Sequence, residues 1–400
     1  MRCVLCDREV TEKNVVKYHG KFLCMQCTFA ITGFYHKEKR VDDEGCSSDC
    51  GMVPSVIFDG LERYVIGQEE AKKVLSTSAY IHQLRCSGMV TDMVKKANIL
   101  LLGPTGSGKT YLVQNLAKIL DVPFVSVSAT SLTETGYEGE SVDGIVQKLY
   151  RIAGNSIKRA ESGIVFIDEI DKLCVRGTNP RTVGVTGVQQ ELLTLMEGRK
   201  VEVSMQMLSI GVKSENAENF VDSSKILFIC GGAFPELDSI IRDRLHTKNG
   251  IGFCAEGIEK ACWDEDVLKE VTTDDLRKFG MIPEFIGRLP VKCVLEPLGV
   301  EDLKRILFEA EESVLKQYAA LFAANDVSLI VEEDAVEEIA KKAKEQGTGA
   351  RALTGIVEEL LRDFVFSVPG RKEIKKIIIT SEYVRGEKPA MILKKKICAK

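Results

Sequence analysis

No apolar run in the sequence is long enough to cross a bilayer; the longest, such as residues 226–230, have the length of buried strands. The chain opens Met1-Arg2-Cys3-Val4-Leu5-Cys6-Asp7, without the apolar core of an export signal. A secreted, disulfide-stapled protein is therefore not expected, and the location reads as cytoplasmic. There is no excess of positive charge either. A formal net charge of -5 argues against a protein whose main work is coating nucleic acid. Tandem repeats and long low-complexity tracts are missing, which sets repeat architectures aside. No protease nucleophile constellation is visible, so any peptide cleavage must come from a partner. None of the 4 histidines has an evident partner.

What is present is an ordinary globular balance, 44% hydrophobic and 28% charged over 400 residues, enough for two or three domains with real cores. The 13 cysteines are read as reduced thiols. Cys3-x2-Cys6 and Cys24-x2-Cys27, with 17 residues between the pairs, fit a four-thiolate zinc site. Each pair presents two sulfurs to one side, and in a unit with so little core the metal would supply much of the folding energy. Cys46 and Cys50 are expected to be free thiols, and Cys174, Cys230 and Cys293 small core hydrophobes.

Residues 1–36 thus form a zinc-binding domain, and the polar stretch 37–55 a linker. Residues 56–298 carry short apolar runs (99–102, 124–127, 164–167 and 226–229) alternating with helical stretches such as 109–120 and 188–196. That alternation is the pattern of an α/β fold with a parallel sheet and flanking helices. Residues 299–400 read as a mostly helical domain, with helices expected at 301–322, 332–345 and 351–365 and a strand at 375–380.

Gly103-Pro104-Thr105-Gly106-Ser107-Gly108-Lys109-Thr110 matches the P-loop pattern between a strand and a helix, the context that motif requires. Its backbone N–H groups would curl around phosphate oxygens. Lys109 would neutralise the β- and γ-phosphates and Thr110 would ligate Mg²⁺, with Tyr111 completing the cofactor-binding run. Further along, an apolar strand delivers Asp168-Glu169: Asp168 to hold Mg²⁺ and Glu169 to polarise the attacking water. ATP hydrolysis follows from these residues.

Other stretches resemble the ClpX branch of the AAA+ family, a P-loop NTPase large domain followed by a helical small domain. They are Tyr64-Val65-Ile66-Gly67-Gln68, Leu132-Thr133-Glu134-Thr135-Gly136-Tyr137-Glu138-Gly139-Glu140, Gly187-Val188-Gln189-Gln190-Glu191-Leu192-Leu193, Pro283-Glu284-Phe285-Ile286-Gly287-Arg288-Leu289-Pro290 and Gly349-Ala350-Arg351-Ala352-Leu353. The resemblance runs from about residue 56 to the end and implies an unfoldase that feeds protein substrates to a ClpP-type peptidase. Val65 and Ile66 would pack on the adenine. Arg288 would be the arginine finger reaching a neighbouring subunit's γ-phosphate, which implies a homohexameric ring, and Arg351 the sensor arginine of the small domain. A guanidinium suits both roles, being always charged and forked. Tyr137 would grip substrate in the pore, and Ile251, Gly252 and Phe253 would dock on the peptidase. The family's zinc domain recruits substrates or adaptors, which agrees with the cysteine pairs. No nucleic acid or membrane partner is implied.

The chain departs from that pattern at the pore. Glu138 stands where the family has a small apolar residue. The segment 201–224 carries Glu202, Glu215 and Glu218 in place of a basic loop, and the second pore loop Thr182-Val183-Gly184-Val185-Thr186 lacks charged residues. The alternatives are a standalone protein remodeller, which has no need of Ile251, Gly252 and Phe253, a nucleic-acid motor and a binding module that has lost hydrolysis. Six copies of Glu138 around a channel would favour basic over acidic substrate segments. Glu138→Val is accordingly expected to erase a preference for basic over acidic tags in a competition translocation assay; an unchanged preference removes the main support for altered substrate choice.

Overall fold

The computed structural model describes residues 15–18, 21–24, 52–90, 94, 96–133, 140–174, 182–203, 220–248, 267–370 and 373–394. It divides into two units, Met1–Cys50 and Gly51–Lys400. Of the first, an antiparallel pair of strands is described, Val15–Tyr18 and Lys21–Cys24, with Cys24 opposite Val15. Cys3, Cys6, Cys27, Cys46 and Cys50 lie outside the described residues, as do Tyr137, Glu138 and Ile251, Gly252 and Phe253.

The second unit is built on a parallel sheet of five strands: β1 (Ile99–Leu102), β2 (Phe124–Ser128), β3 (Ile164–Asp168), β4 (Leu227–Gly232) and β5 (Val291–Val294), in the order β5-β1-β4-β3-β2. The continuous apolar runs are explained by burial on both faces, as in β1 and β4, where every residue is buried. Phe166 and Phe228 are fully buried, and each side chain of this kind stabilises the fold by about 1.5–3 kcal/mol. The fifth strand, Val291–Val294, falls within 56–298 but was not among the apolar runs expected as strands.

Helices α1 (Pro54–Glu62), α2 (Glu69–Cys86) and α3 (Lys109–Leu120) pack with Ile99, Leu101, Ile229 and Phe166 in one cluster. Helix α4 (Val142–Ile152) and α5 (Thr182–Glu197) join the cluster that holds Leu100, Val165 and Phe228. Residues Thr182 to Thr186, expected as a loop, form the first turns of α5. Tertiary context here overrides the weak helix propensity of threonine, valine and glycine. Helix α6 (Leu237–Lys248), α7 (Thr273–Phe279, closed by a Thr272–Asp275 capping box) and the short α8 (Pro283–Gly287) lead into β5.

The C-terminal part has its own core and a three-stranded sheet. Its helices are α9 (Val300–Phe308), α10 (Val314–Ala323), α11 (Glu333–Glu345) and α12 (Ala350–Ser367). Strand β6 (Ser328–Val331) pairs in parallel with β7 (Ile374–Ile379), and β7 antiparallel with β8 (Met391–Lys394). The single helix expected over 301–322 is two. The chain turns between α9 and α10, where the buried Ser313 hydroxyl donates to the Leu307 carbonyl and a helix boundary results.

Two buried polar side chains fix the large domain's first helices. Lys72, fully buried on α2, pairs with Glu62 of α1 and donates to the Val65 carbonyl at 3.2 Å. At the other end of α2, beside the N-terminal ends of the strands, the buried His82 donates from Nε2 to the Ser162 carbonyl at 3.1 Å. His82 therefore does have a partner, which its sequence neighbours did not disclose. Burial, assisted by the nearby charges of Lys96 and Arg85, pushes its pKa from 6.5 down to about 4.

The unfolded chain protonates this histidine below pH 6.5 while the folded chain does not, so its contribution to stability declines as pH falls toward 4. The loss amounts to about 3 kcal/mol at pH 4. His82→Gln, which keeps a donor for Ser162 without a titrating ring, is expected to flatten the fall of the urea midpoint between these pH values; an unchanged slope would show that other groups set it.

Candidate nucleotide site

Parallel strands align their C-terminal ends, and the loops leaving that edge collect polar residues at one place. In the register of this sheet Ser128 lies beside Asp168, and Leu102 lies between Gly232 and Val294. The loop Gly103–Gly108 leaves β1 at this edge, and α3 begins at Lys109 directly after it. Gly106 has φ +80°, and a Cβ there would fall 1.9 Å from the Thr348 carbonyl oxygen, so only glycine allows the loop to touch that backbone. The contact is made from both sides: Ala350 N–H donates to the Gly106 carbonyl at 3.2 Å, and a Cβ on Gly349 would fall 2.6 Å from the same oxygen.

Between the loop and the C-terminal helices lies a cavity of about 520 Å³, in the range of small-molecule sites. One wall is Gly106, Ser107, Gly108, Lys109, Thr110 and Tyr111 together with Asp168 and Glu169. The other is apolar: Val65 and Ile66, and from the C-terminal part Leu298, Ile306, Val314 and Leu353. Arg351, in the first turn of α12, lines it too. Gln68 fixes the Val65–Ile66 segment by donating from Nε2 to the Glu296 carbonyl at 2.8 Å and accepting the Glu296 N–H at 2.9 Å.

The chemistry of this cavity favours a polyanion. Lys109 is buried, its Nζ donating to the carbonyls of Gly103 at 2.7 Å and Pro104 at 3.0 Å. Burial holds its pKa below the ordinary lysine value, the Arg351 charge adds to the effect, and Asp168 and Asp171 oppose it. The buried Ser107 hydroxyl has no hydrogen-bond partner among the described residues and sits in the cavity wall. An orphaned buried donor beside a lysine, an arginine and the start of a helix is what a polyphosphate would satisfy. The donor set also suits Mg²⁺: Thr110 Oγ1 donates to Asp168 Oδ2 at 2.9 Å, bringing two hard oxygens together beside the loop.

Asp168 Oδ1 accepts the Glu169 N–H at 2.8 Å. Glu169 itself stands in the left-handed region at φ 58°, at a cost of about 1–3 kcal/mol that is commonly seen at functional sites. Its carboxylate Oε2 accepts from the Ser128 hydroxyl at 2.7 Å and from Thr130 at 3.3 Å. Arg288 does not line the cavity. It lies at the end of α8, on the side chain of Glu197.

A family model for an AAA domain (Cdc48 subfamily) matches residues 94–292, and one for the C-terminal, D2-small domain of ClpB protein matches residues 298–380. The ATP-dependent Clp protease ATP-binding subunit ClpX of Treponema denticola is 42% identical over 396 residues, spanning 96% of this chain and 93% of the relative. The ClpX of Borrelia duttonii is 40% identical over 392 residues, spanning 96% and 90%. This chain belongs to the ClpX family. It is an ATPase of the AAA class.

Of the residues that sequence reasoning found, Thr105 to Tyr111, Val65, Ile66, Asp168, Glu169 and Arg351 line this cavity, whereas Gly103 and Pro104 meet it only through Lys109, which their carbonyls hold. Sequence reasoning missed Ser128, which ends an unremarkable apolar strand; only its register opposite Asp168 reveals it. It quoted Gln68 and Gln189 without roles and overlooked Asn98 and Glu197. Because the Ser128 hydroxyl aims the Glu169 carboxylate, Ser128→Ala is expected to lower kcat for ATP by ~10-fold while leaving KM within about twofold. Ser128→Thr is expected to restore most of it, and an unchanged kcat in steady-state ATPase assays would remove the positioning role.

Proposed function

We propose that this chain is an ATP-driven protein unfoldase and translocase that assembles as a homohexamer and passes its substrates to a ClpP-type peptidase. The carrying observation is the split of the two arginines. Arg351 lines the chain's own cavity, whereas Arg288 does not line it and rests half-exposed on Glu197, as suits an arginine that serves a neighbour's nucleotide in a ring. The names of the relatives, ATP-binding subunits of the Clp protease, support the peptidase partnership.

In this reading Val65 and Ile66 hold the base, the loop N–H groups and Lys109 hold the phosphates, and Thr110 and Asp168 hold Mg²⁺. Bound Mg²⁺ neutralises charge on the phosphate oxygens. Glu169, aimed by Ser128, accepts a proton from the attacking water, and Arg288 and Arg351 balance the negative charge that accumulates on the transferred group. Tyr137 and Glu138 belong to the pore. Cys3, Cys6, Cys24 and Cys27 hold zinc, supported by their spacing and by the strand pair that ends at Cys24. The zinc domain spans 1–36 and the linker 37–55, with the large ATPase domain at 56–298 and the small domain at 299–400. The setting is cytoplasmic, with unfolded or tagged proteins and adaptors as further partners.

Degradation of a fluorescent tagged protein, measured with ATP and ClpP, tests the reading. The wild type is expected to support degradation, and Phe253→Ala to reduce it by ~10-fold or more with ATPase activity retained, as for an apolar anchor at an interface. A wild type that hydrolyses ATP and unfolds the substrate, yet never supports degradation, would make the chain a standalone remodeller.

A further inference from the structure

Arg288 is held at its backbone and at its side chain, and the segment leading to it is held at a third point. Its backbone carbonyl accepts from Asn98 Nδ2 at 3.0 Å. Asn98 is buried, and its Oδ1 accepts the Phe228 N–H of β4 at 3.4 Å, so the arginine's backbone is tied to the central sheet. Its guanidinium donates to Glu197 Oε1 through Nε at 3.0 Å and Nη2 at 2.6 Å. The segment entering α8 is fixed by Gln189 of α5, whose Oε1 accepts the Ile282 N–H at 3.3 Å. The same buried Gln189 donates from Nε2 to the Leu173 carbonyl, in the turn that follows Asp168-Glu169.

Glu197 is the last residue of α5, where the negative end of the helix dipole disfavours a carboxylate. The Arg288 cation offsets this, so the pair is mutually stabilising. Both side chains are about half exposed (51% and 43%), and an ion pair that accessible adds little to stability. It is strong enough to select a rotamer of a long, flexible side chain and weak enough to yield to a triphosphate.

The geometry points to Glu197 as the positioning residue for Arg288, on a helix that ties the finger to its own subunit's hydrolytic turn. This rests on the reading of Arg288 as the interfacial arginine. Glu197 pre-orders the guanidinium before a neighbour's nucleotide arrives, removing part of the ordering entropy from the catalytic step. Gln189 then makes the placing of the finger depend on the turn beyond Glu169, so that what happens at one site is felt by the arginine serving the next.

The test is a double-mutant cycle on the full-length assembled chain, with steady-state ATPase kinetics as the readout. Arg288→Ala is expected to lower kcat by at least ~100-fold, as for loss of an arginine finger. Glu197→Ala is expected to lower kcat by ~3–10-fold with KM for ATP within about twofold, and Glu197→Gln, whose amide oxygen still accepts from the guanidinium, to recover part of that. Glu197→Ala combined with Arg288→Ala is expected to be no worse than Arg288→Ala alone. Multiplying losses in the double variant, or a kcat unchanged by Glu197→Ala, would overturn the positioning role while leaving the finger intact. An undiminished kcat in Arg288→Ala would overturn the finger reading itself, and the role of Glu197 with it.

Discussion

The contact between the backbones of Gly106 and Gly349 sets how close the C-terminal helices can come to the phosphate loop. No side chain stands between the two chains, so the spacing is that of bare peptide groups, sealed by the Ala350 N–H on the Gly106 carbonyl. Everything at the cavity depends on this approach. It brings Arg351 to the same space as Lys109 and sets Leu353 and Val314 against the wall formed by Val65 and Ile66. A methyl group at either glycine would hold the two parts apart and open the apolar side of the cavity.

Around that contact the structure gathers positive charge at one edge of a buried sheet. Burial there raises the cost of ionising Lys109, and the Arg351 charge adds to it, as the lowered pKa of Lys109 records. The same edge holds the carboxylates of Asp168 and Glu169 under tight control, one by Thr110 and the other by Ser128 and Thr130. The site is therefore pre-arranged from within: hydroxyls on neighbouring strand ends and helix starts fix the acids, and the loop backbone fixes the lysine.

The parts of this arrangement that were legible in the sequence are those in which a local run carries its own meaning. The phosphate loop is contiguous, and strands buried on both faces announce themselves as unbroken apolar runs, so 99–102 and 164–167 were placed correctly. Contacts between distant segments were not legible. Gln68 meets Glu296, Asn98 meets Arg288 and Glu197 meets Arg288 only after the chain has folded, and nothing in the residues flanking them differs from an ordinary surface or helix. The division of 301–322 into two helices escaped for a related reason. Its apolar periodicity continues through the break, which is made by one serine hydroxyl reaching the Leu307 carbonyl.

Helix α5 has a mechanical consequence. Its 16 residues make a rod of about 24 Å, anchored by Gln189 on Leu173 and on the segment entering α8, and gripping Arg288 at its final residue. A tilt of roughly 5° about the Glu197 end carries the Thr182 end through about 2 Å, for a rod with that rise per residue. A small rotation at the end that carries Glu197 thus becomes a shift of bond-length scale at the far end of the helix, its size set by the number of turns between them.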